Sequence, residues 1–430
     1  MRYVIIGNGV AGITAAFTIR AREETASITV ISGESDYFFA RTALMYAYLD
    51  RLTRRDLEPH ERKVYDKQRI ERIRAWVTGL DAPGHTLTLS TGRQLAYDRL
   101  LLATGSLPNR PAWAGIDQVR DGLVHFVTLQ DLENCERLTK FGGKALVVGG
   151  GLIGVELVEC LHHHGMEVTF LVREPWYWPA ALGEPEGQMI TAHLQRHGID
   201  VIHNEVVGRV DVDGSGRATG VETESGRRFD CELLGITVGV HPAIEWLAKV
   251  TTPPEVRRGI VVDTGFRTSL PDVWAAGDCA EIQFDGRAPL VEQIWYSAKR
   301  QGDLAARSML GDRVSYAPPV FYNSSKFFEI EYTTVGSFRI AGAQDFHARV
   351  PGREVSVRIA VAGGAVAGFN MLGSRWDHNV FERWIAERRP LDYCMERLDQ
   401  AQFDVEFGRQ DLTSIRRQYA DWALKAQAVA

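Results

Sequence analysis

The sequence predicts an α/β protein with two βαβ units, one inserted in the other, and a carboxyl-terminal α+β domain. Two glycine-rich turns, each between an apolar strand and a helix-forming segment, predict the βαβ units. Alternating strands near residues 354–361 predict the last domain. At 430 residues the chain exceeds the size at which one core stops growing, so several domains are expected.

The first glycine-rich turn follows the apolar strand at residues 3–6 and has the spacing GxGxxG. In such a turn one glycine permits a tight bend, one lets the backbone approach a pyrophosphate, and one lets helix and strand pack closely. The helix that follows offers unpaired N–H groups to the phosphates. The turn therefore predicts a Rossmann-like dinucleotide site. The residues expected to bind the cofactor are Gly7, Gly9, Val10, Ala11 and Gly12.

A second strand at residues 28–32 supports this interpretation. Glu34 lies 22 residues after Gly12, close to the spacing of about 20 for the acid that holds a ribose hydroxyl. The alternative is a glycine-rich turn that binds nothing.

The second glycine-rich turn follows the strand at residues 144–148, and another strand at residues 168–172 comes after it. The same local pattern predicts that one chain holds two dinucleotides. The residues expected to bind this cofactor are Gly149, Gly151, Leu152, Ile153 and Gly154.

Two further segments distinguish the cofactors. Residues 97–105 and 271–278 resemble the ATG and AxGD motifs of the two-dinucleotide-binding-domain flavoproteins, the superfamily of glutathione reductase and the ferredoxin reductases. The resemblance implies FAD at the first turn, with Asp278 on its ribityl chain; for Asp278 alone, a helix N-cap is the alternative. Other candidates for the FAD site are Val77, Ala103, Thr104, Gly105, Gly239 and Gly277.

The segment at residues 38–46 indicates the branch. No cysteine lies between Met1 and Asn134, so no thiolate is available there to attack a disulfide. The segment resembles the Y-x-R-x-x-L motif of ferredoxin, rubredoxin and nitrite reductase NADH-binding components, in which the arginine at Arg41 contacts FAD. A surface ion pair is the alternative for Arg41. Residues 295–302 are similar to the W-x-x-A-x-x-Q-G segment of the same proteins, which implies that Trp295 lies near the flavin and nicotinamide rings.

With FAD at the first turn, a nicotinamide dinucleotide is expected at the second, because flavin and nicotinamide exchange hydride directly. The strand that follows the second turn ends at Val172, at the position where an acidic residue would bind the free 2′-hydroxyl of NADH. The next residue, Arg173, can instead bind the 2′-phosphate of NADPH. NADPH is therefore favoured, although Glu174 could serve NADH. The resemblance implies that Glu156 lies beside the nicotinamide. Alternatively, its negative charge only stabilises the helix by interacting with the positive end of the helix dipole.

These motifs place FAD-binding segments at residues 1–113 and 239–315, an NAD(P)-binding segment at 114–238 and an interface domain at 316–430. The net charge of −6 and the absence of basic runs argue against nucleic acid. The five scattered cysteines and the adjacent histidines at 162–164 suggest no metal site. Neither a leader nor a membrane helix is recognised, so a cytoplasmic protein is expected.

The predicted function is an FAD-dependent NAD(P)H oxidoreductase that passes electrons to a small iron–sulfur or rubredoxin-type protein. An NAD(P)H oxidase and a quinone or small-molecule reductase are alternatives that share the first half-reaction. A third alternative is a non-catalytic redox sensor that resembles apoptosis-inducing factor. The carboxyl-terminal tail is expected to be a helix. Whether this helix contacts a docking partner or a second copy of the chain in a homodimer stays open.

Overall fold

The computed structural model describes residues 1–403, 405–406 and 410–429, with side chains described as far as residue 425. The chain divides into two compact units. The first comprises residues 1–141 and 235–317, and the second comprises residues 142–234 and 318–430. The four domain boundaries expected from sequence stay a prediction.

The strands are β1 (Arg2–Ile6), β2 (Ser27–Ser32), β3 (Ile70–Arg74), β4 (Val77–Asp81), β5 (Thr86–Leu89), β6 (Gln94–Ala96), β7 (Arg99–Leu102), β8 (Ser106–Pro108), β9 (Leu123–Val124), β10 (Gly143–Val148), β11 (Met166–Val172), β12 (Asp200–His203), β13 (Val207–Val212), β14 (Ala218–Thr223), β15 (Arg228–Asp230), β16 (Leu233–Ile236), β17 (Val240–Pro242), β18 (Ile260–Val262), β19 (Val273–Ala275), β20 (Ala280–Phe284), β21 (Arg287–Leu290), β22 (Tyr322–Phe327), β23 (Ile330–Gly336), β24 (Gln344–Arg349), β25 (Ser356–Ala362) and β26 (Ala365–Leu372).

The α-helices are α1 (Val10–Arg22), α2 (Leu44–Tyr48), α3 (Arg62–Lys67), α4 (Leu129–Leu138), α5 (Leu152–His163), α6 (Glu184–Arg196), α7 (Trp295–Met309), α8 (His378–Ala386), α9 (Leu391–Glu396) and α10 (Thr413–Val429). Short 3-10 helices cover Arg41–Ala43, Arg54–Leu57, Ile116–Gln118, Glu245–Lys249 and Leu398–Ala401.

A five-stranded parallel sheet in the order β19–β7–β1–β2–β3 forms the centre of the first unit. The inner strands β7, β1 and β2 are mostly apolar and buried, as expected for a sheet covered on both faces, whereas the edge strand β3 carries Glu71, Arg72 and Arg74. Helices α1 and α7 pack closely, because Gly302 has no side chain to separate them: a Cβ there would lie 2.2 Å from the carbonyl oxygen of Ala11.

The second unit contains the parallel strands β12–β11–β10 and an antiparallel sheet in the order β22–β23–β26–β25–β24. Helix α8 presents Phe381 and Trp384 to the antiparallel sheet, where Phe381 stacks on Phe369 at 4.3 Å between ring centroids. The α/β fold class predicted from sequence is confirmed.

The carboxyl-terminal part of the chain begins with a hairpin and ends with a helix. Strand β22 pairs antiparallel with β23. The tail is helical, as expected, and Tyr419 and Trp422 of α10 pack on Phe346 of β24. None of the helices in the described part of the chain has the length and apolarity needed to cross a membrane.

Candidate functional site

The first glycine turn joins β1 to α1 at the carboxyl edge of the parallel sheet. Gly7 has φ +113°, and a Cβ there would lie 2.0 Å from the carbonyl oxygen of Ala103. A Cβ on Gly12 would lie 2.1 Å from the oxygen of Gly7, whereas nothing lies within 4 Å of a Cβ on Gly9. The turn is thus closed on the protein side and open beside Gly9, where α1 begins.

This open space fits a diphosphate. Helix α1 starts with Val10 and Ala11, so its unpaired N–H groups lie at the turn. The side-chain oxygen of Asn8 is buried and has no hydrogen-bond partner among the described residues. Open space, helix N–H groups and an unsatisfied polar atom together make a cradle suited to the phosphates of a dinucleotide.

Neighbouring loops of the same unit come to this edge of the sheet. Gly277 follows β19, and a Cβ there would lie 3.0 Å from the Cβ of Ala11. The hydroxyl of Thr104 donates to the carbonyl of Ala243 at 2.8 Å, and nothing occupies the space beside Gly105, whose φ is +73°. The residues that follow β1, β7 and β19 therefore converge as the resemblance implies.

Asp278 lies in this convergence with a carboxylate that is largely enclosed. Burial raises its pKa, while a hydrogen bond from Ser106 and the charge of Arg41 act in the opposite direction. The Ser106 hydroxyl donates to Oδ2 at 2.7 Å. Its acceptor role toward a polyhydroxylated chain stays a prediction.

A polar network that the sequence reasoning missed fixes the turn before Asp278. Gln301 is buried, and its oxygen accepts a hydrogen bond from the backbone N–H of Gly277 at 2.9 Å. Its amide donates to Glu292 at 3.1 Å, and Glu292 also accepts from the Tyr316 hydroxyl at 2.6 Å. Only the glutamine of the W-x-x-A-x-x-Q-G segment pointed to this network.

Glu34 and Arg41 contact each other. The guanidinium donates to both carboxylate oxygens, at 3.0 and 2.7 Å, and the backbone N–H of Leu129 donates to the same carboxylate at 3.2 Å. The ion pair weighed as the alternative for Arg41 is therefore present, and its partner is Glu34. Contacts of either side chain with the cofactor stay predictions.

Three other candidates of the first unit have different surroundings. Val77 begins β4 and is buried in the apolar core. Gly239 has φ +97° and lies beside the amide of Asn109. Trp295 begins α7 and has a buried ring nitrogen with no partner among the described residues, so it can donate one more hydrogen bond.

The second glycine turn repeats this design between β10 and α5. Gly149 has φ +120°, and a Cβ on Gly150 would meet the side chain of Val172 at 2.8 Å. Nothing lies within 4 Å of a Cβ on Gly151. Tyr177 is fully buried, and its hydroxyl donates a hydrogen bond to the carbonyl oxygen of Gly151 at 3.2 Å. This bond fixes the backbone of the turn. This turn also fits a diphosphate.

Helix α5 places candidate residues directly after this turn. Leu152 and Ile153 are partly buried, and Gly154 is buried in the first turn of the helix. One residue beyond that turn, Glu156 remains partly accessible. Burial raises its pKa to about 7, the charge of Glu159 acts in the same direction, and Lys326 and a hydrogen bond from Ser325 oppose the shift.

Lys326 of β22 lies close to a second carboxylate of α5. Its ammonium forms an ion pair with Glu159, and both side chains are largely buried. The ammonium compensates the charge of Glu159, and Glu156, one helical turn before it, is the carboxyl group whose pKa lies near 7. Nothing in the local sequence indicated the pair, because 167 residues separate its members.

Arg173 follows β11 at the position expected for a ribose-binding residue. Its side chain is 76% exposed and pairs with Glu174 at 2.7 Å. The guanidinium is thus available at the surface, and a phosphate would have to compete with one carboxylate.

The family model described as pyridine nucleotide-disulphide oxidoreductase matches residues 1–302. The chain is 31% identical over 322 residues to the biphenyl dioxygenase system ferredoxin–NAD(+) reductase component of Paraburkholderia xenovorans, covering 74% of this chain and 76% of the relative. It is 28% identical over 346 residues to an NADH oxidase of Methanocaldococcus jannaschii, and the match covers 78% of this chain and 76% of the relative. A covalent putidaredoxin reductase–putidaredoxin complex contains a similar fold, with a TM-score of 0.81, 24% identity, and coverage of 90% of this chain and 94% of that chain.

We predict that Gly9→Ala removes flavin binding without unfolding the chain. The new methyl group meets no protein atom but fills the space beside the turn. The purified variant should contain less than about a tenth of the wild-type FAD, a loss of at least 1.4 kcal/mol in binding. Its apoprotein should melt at the temperature of wild-type apoprotein. Gly214→Ala, also in open space, is the matched control; full flavin content in Gly9→Ala would contradict the assignment.

We predict that the rate of flavin reduction by NAD(P)H rises with pH through about 7. The pKa of Glu156 lies in that range, and a carboxylate at the predicted nicotinamide position would stabilise the positive charge that develops as hydride leaves. In Glu156→Gln the rate should lose this inflection and fall about tenfold at high pH, a change of 1.4 kcal/mol in the barrier. Anaerobic stopped-flow measures the rate, with the exposed Glu167→Gln as control; an unchanged pH profile in Glu156→Gln would exclude the role.

Proposed function

The chain belongs to the pyridine nucleotide-disulphide oxidoreductase family, and on that premise we propose that it is an FAD-dependent NAD(P)H:acceptor oxidoreductase. The family confirms the resemblance drawn from the glycine turns and the ATG-like and AxGD-like segments. The observation that carries the proposal is the pair of open cradles at Gly9 and Gly151, one in each unit. FAD and NAD(H) are the cofactors that the family and the relatives support.

Bound FAD supplies a ring that accepts two electrons as hydride and releases them one at a time. The first unit would hold the diphosphate of FAD at Gly9 and its ribityl chain at Asp278. The second unit would hold the nicotinamide dinucleotide at Gly151. Glu156, which keeps or releases a proton at its carboxyl group, would set the charge near that cofactor.

The proposed acceptor is a small iron–sulfur or rubredoxin-type protein. All five cysteines are buried, and burial raises the pKa of the Cys135 and Cys279 thiols in the first unit. These groups stay protonated and cannot act as thiolate nucleophiles at neutral pH. Electrons from the flavin then leave to an external acceptor, in keeping with the relative named as a ferredoxin–NAD(+) reductase component.

A second candidate is an NAD(P)H oxidase, which the relative from Methanocaldococcus jannaschii favours. It shares the hydride step and differs only in the acceptor. Neither candidate requires a metal ion or a redox-active cysteine in the residues assigned above.

The two candidates predict different reoxidation rates. Reduced protein, mixed in a stopped-flow instrument with a ferredoxin, a rubredoxin or oxygen, should return its flavin absorbance at least tenfold faster with one of the two proteins than with oxygen. The matched acceptor control is the same protein with its metal centre removed. Rapid reoxidation by oxygen alone would favour the oxidase and overturn the electron-transfer proposal.

The proposed nicotinamide cofactor is NADPH, because Arg173 is exposed at the ribose position and can form a bidentate contact with a phosphate. We predict that the wild type has a lower KM for NADPH than for NADH. In Arg173→Ala the KM for NADPH should rise about tenfold, which corresponds to 1.4 kcal/mol, and the KM for NADH should not change. Arg209→Ala, on the surface of the same unit, is the control. A tenfold preference of the wild type for NADH would contradict this.

A further inference from the structure

Two histidines and a glutamate of the second unit converge outside the regions assigned to cofactors. His193 lies in the last turn of α6, and His197 follows directly after that helix. Glu329 lies in the two-residue turn between β22 and β23, which the pairing of Phe327 with Ile330 closes. We call these three residues the His193–His197–Glu329 cluster.

The atoms of the cluster are spaced as ligands of one metal ion. Oε2 of Glu329 lies 3.1 Å from Nε2 of His193 and 3.2 Å from Nε2 of His197. The three ligand atoms all lie within 4.8 Å of one another. Ligands of a tetrahedral zinc ion, with bonds of about 2.0–2.2 Å, are separated by roughly 3.3 Å. The two nitrogen–oxygen distances are therefore close to the edge of a zinc tetrahedron.

The other nitrogen of each ring is already held by an acceptor. Nδ1 of His193 lies 2.7 Å from Oε2 of Glu354, which in turn pairs with Arg196. Nδ1 of His197 lies 3.0 Å from the backbone carbonyl oxygen of His193. A guanidinium nitrogen of Arg196 also lies 3.5 Å from Nδ1 of His193. In the tautomer with the proton on Nδ1, each Nε2 has a free lone pair close to Glu329, as in metal-bound histidine.

The convergence of these atoms favours a cation. With the ring protons on Nδ1, two nitrogen lone pairs lie 3.1 and 3.2 Å from one carboxylate oxygen, and a single divalent cation would satisfy all three atoms. The alternative without a metal is a proton on Nε2 of His193 that is donated to Glu329, and the zinc titration below distinguishes the two.

We propose that the His193–His197–Glu329 cluster binds Zn²⁺. Two imidazoles and a carboxylate are ligands that zinc prefers, and three protein ligands leave a fourth position for water. The ion joins the turn between β22 and β23 to the end of α6 and stabilises the second unit. The expectation of no metal site, drawn from the cysteines and residues 162–164, did not consider this cluster. The proposal is independent of the proposed redox function.

The test uses the full chain with its flavin, stripped of metal with a chelator and returned to a zinc-buffered solution. Zinc bound per chain is measured by elemental analysis and affinity by competition with a chromophoric chelator, and Tm is recorded with and without zinc. We expect one zinc ion per chain and a higher Tm in its presence, because ligands that bind the native state stabilise it.

Glu329→Gln and His197→Gln should each weaken zinc binding at least tenfold, and both should remove the zinc-dependent rise in Tm. Glu329 is 71% exposed in a turn, so its variant should fold, and unchanged flavin absorbance verifies this. His163→Gln, in the histidine run of α5, is the matched control and should bind zinc as the wild type does. Absence of stoichiometric zinc in the wild type, unchanged affinity in Glu329→Gln, or loss of zinc in His163→Gln would overturn the proposal.

Discussion

Close approach of main chain to main chain at two turns is the constraint on which the rest of the structure depends. At Gly7 and Gly12 a single added carbon would collide with backbone oxygens, so β1, β7 and α1 can meet only where side chains are absent. Because these contacts close the turn from within, the space beside Gly9 remains open toward the helix N-terminus. The same geometry recurs at Gly151. The cofactor assignment and the proposed hydride chemistry both start from these two open positions.

The surroundings of the two turns differ in charge. The first has Glu34 and Arg41 neutralising each other and Asp278 enclosed beside Ser106. The second has a buried ion pair between Glu159 and Lys326 one helical turn from Glu156. Burial of Glu156 raises its pKa to about 7, the charge of Glu159 adds to the shift, and Lys326 opposes it. A carboxyl group with a pKa near neutral is thus placed on the unit proposed to bind the nicotinamide dinucleotide.

The sequence was sufficient for the features that depend on neighbouring residues. Glycine spacing, apolar strands and the small residues after β7 and β19 predicted both turns and the α/β class, because steric limits at a turn act within a few residues. It was insufficient where partners are distant in the chain. Lys326 with Glu159, Gln301 with Gly277, and Glu329 with His193 are joined only by the folded sheet. The HxxxH spacing of His193 and His197 was visible, but the carboxylate that completes the cluster was not.

The central claim is that each glycine turn holds one dinucleotide and that the first turn, at Gly9, holds a flavin. Titration of the apoprotein with FAD tests this claim most directly. Chromatography in denaturant or at high salt removes the flavin, and quenching of FAD fluorescence follows its return. We expect saturation at one FAD per chain, restored yellow absorbance, and bleaching of that absorbance when NADPH or NADH is added without oxygen. A folded apoprotein that takes up no FAD would contradict it.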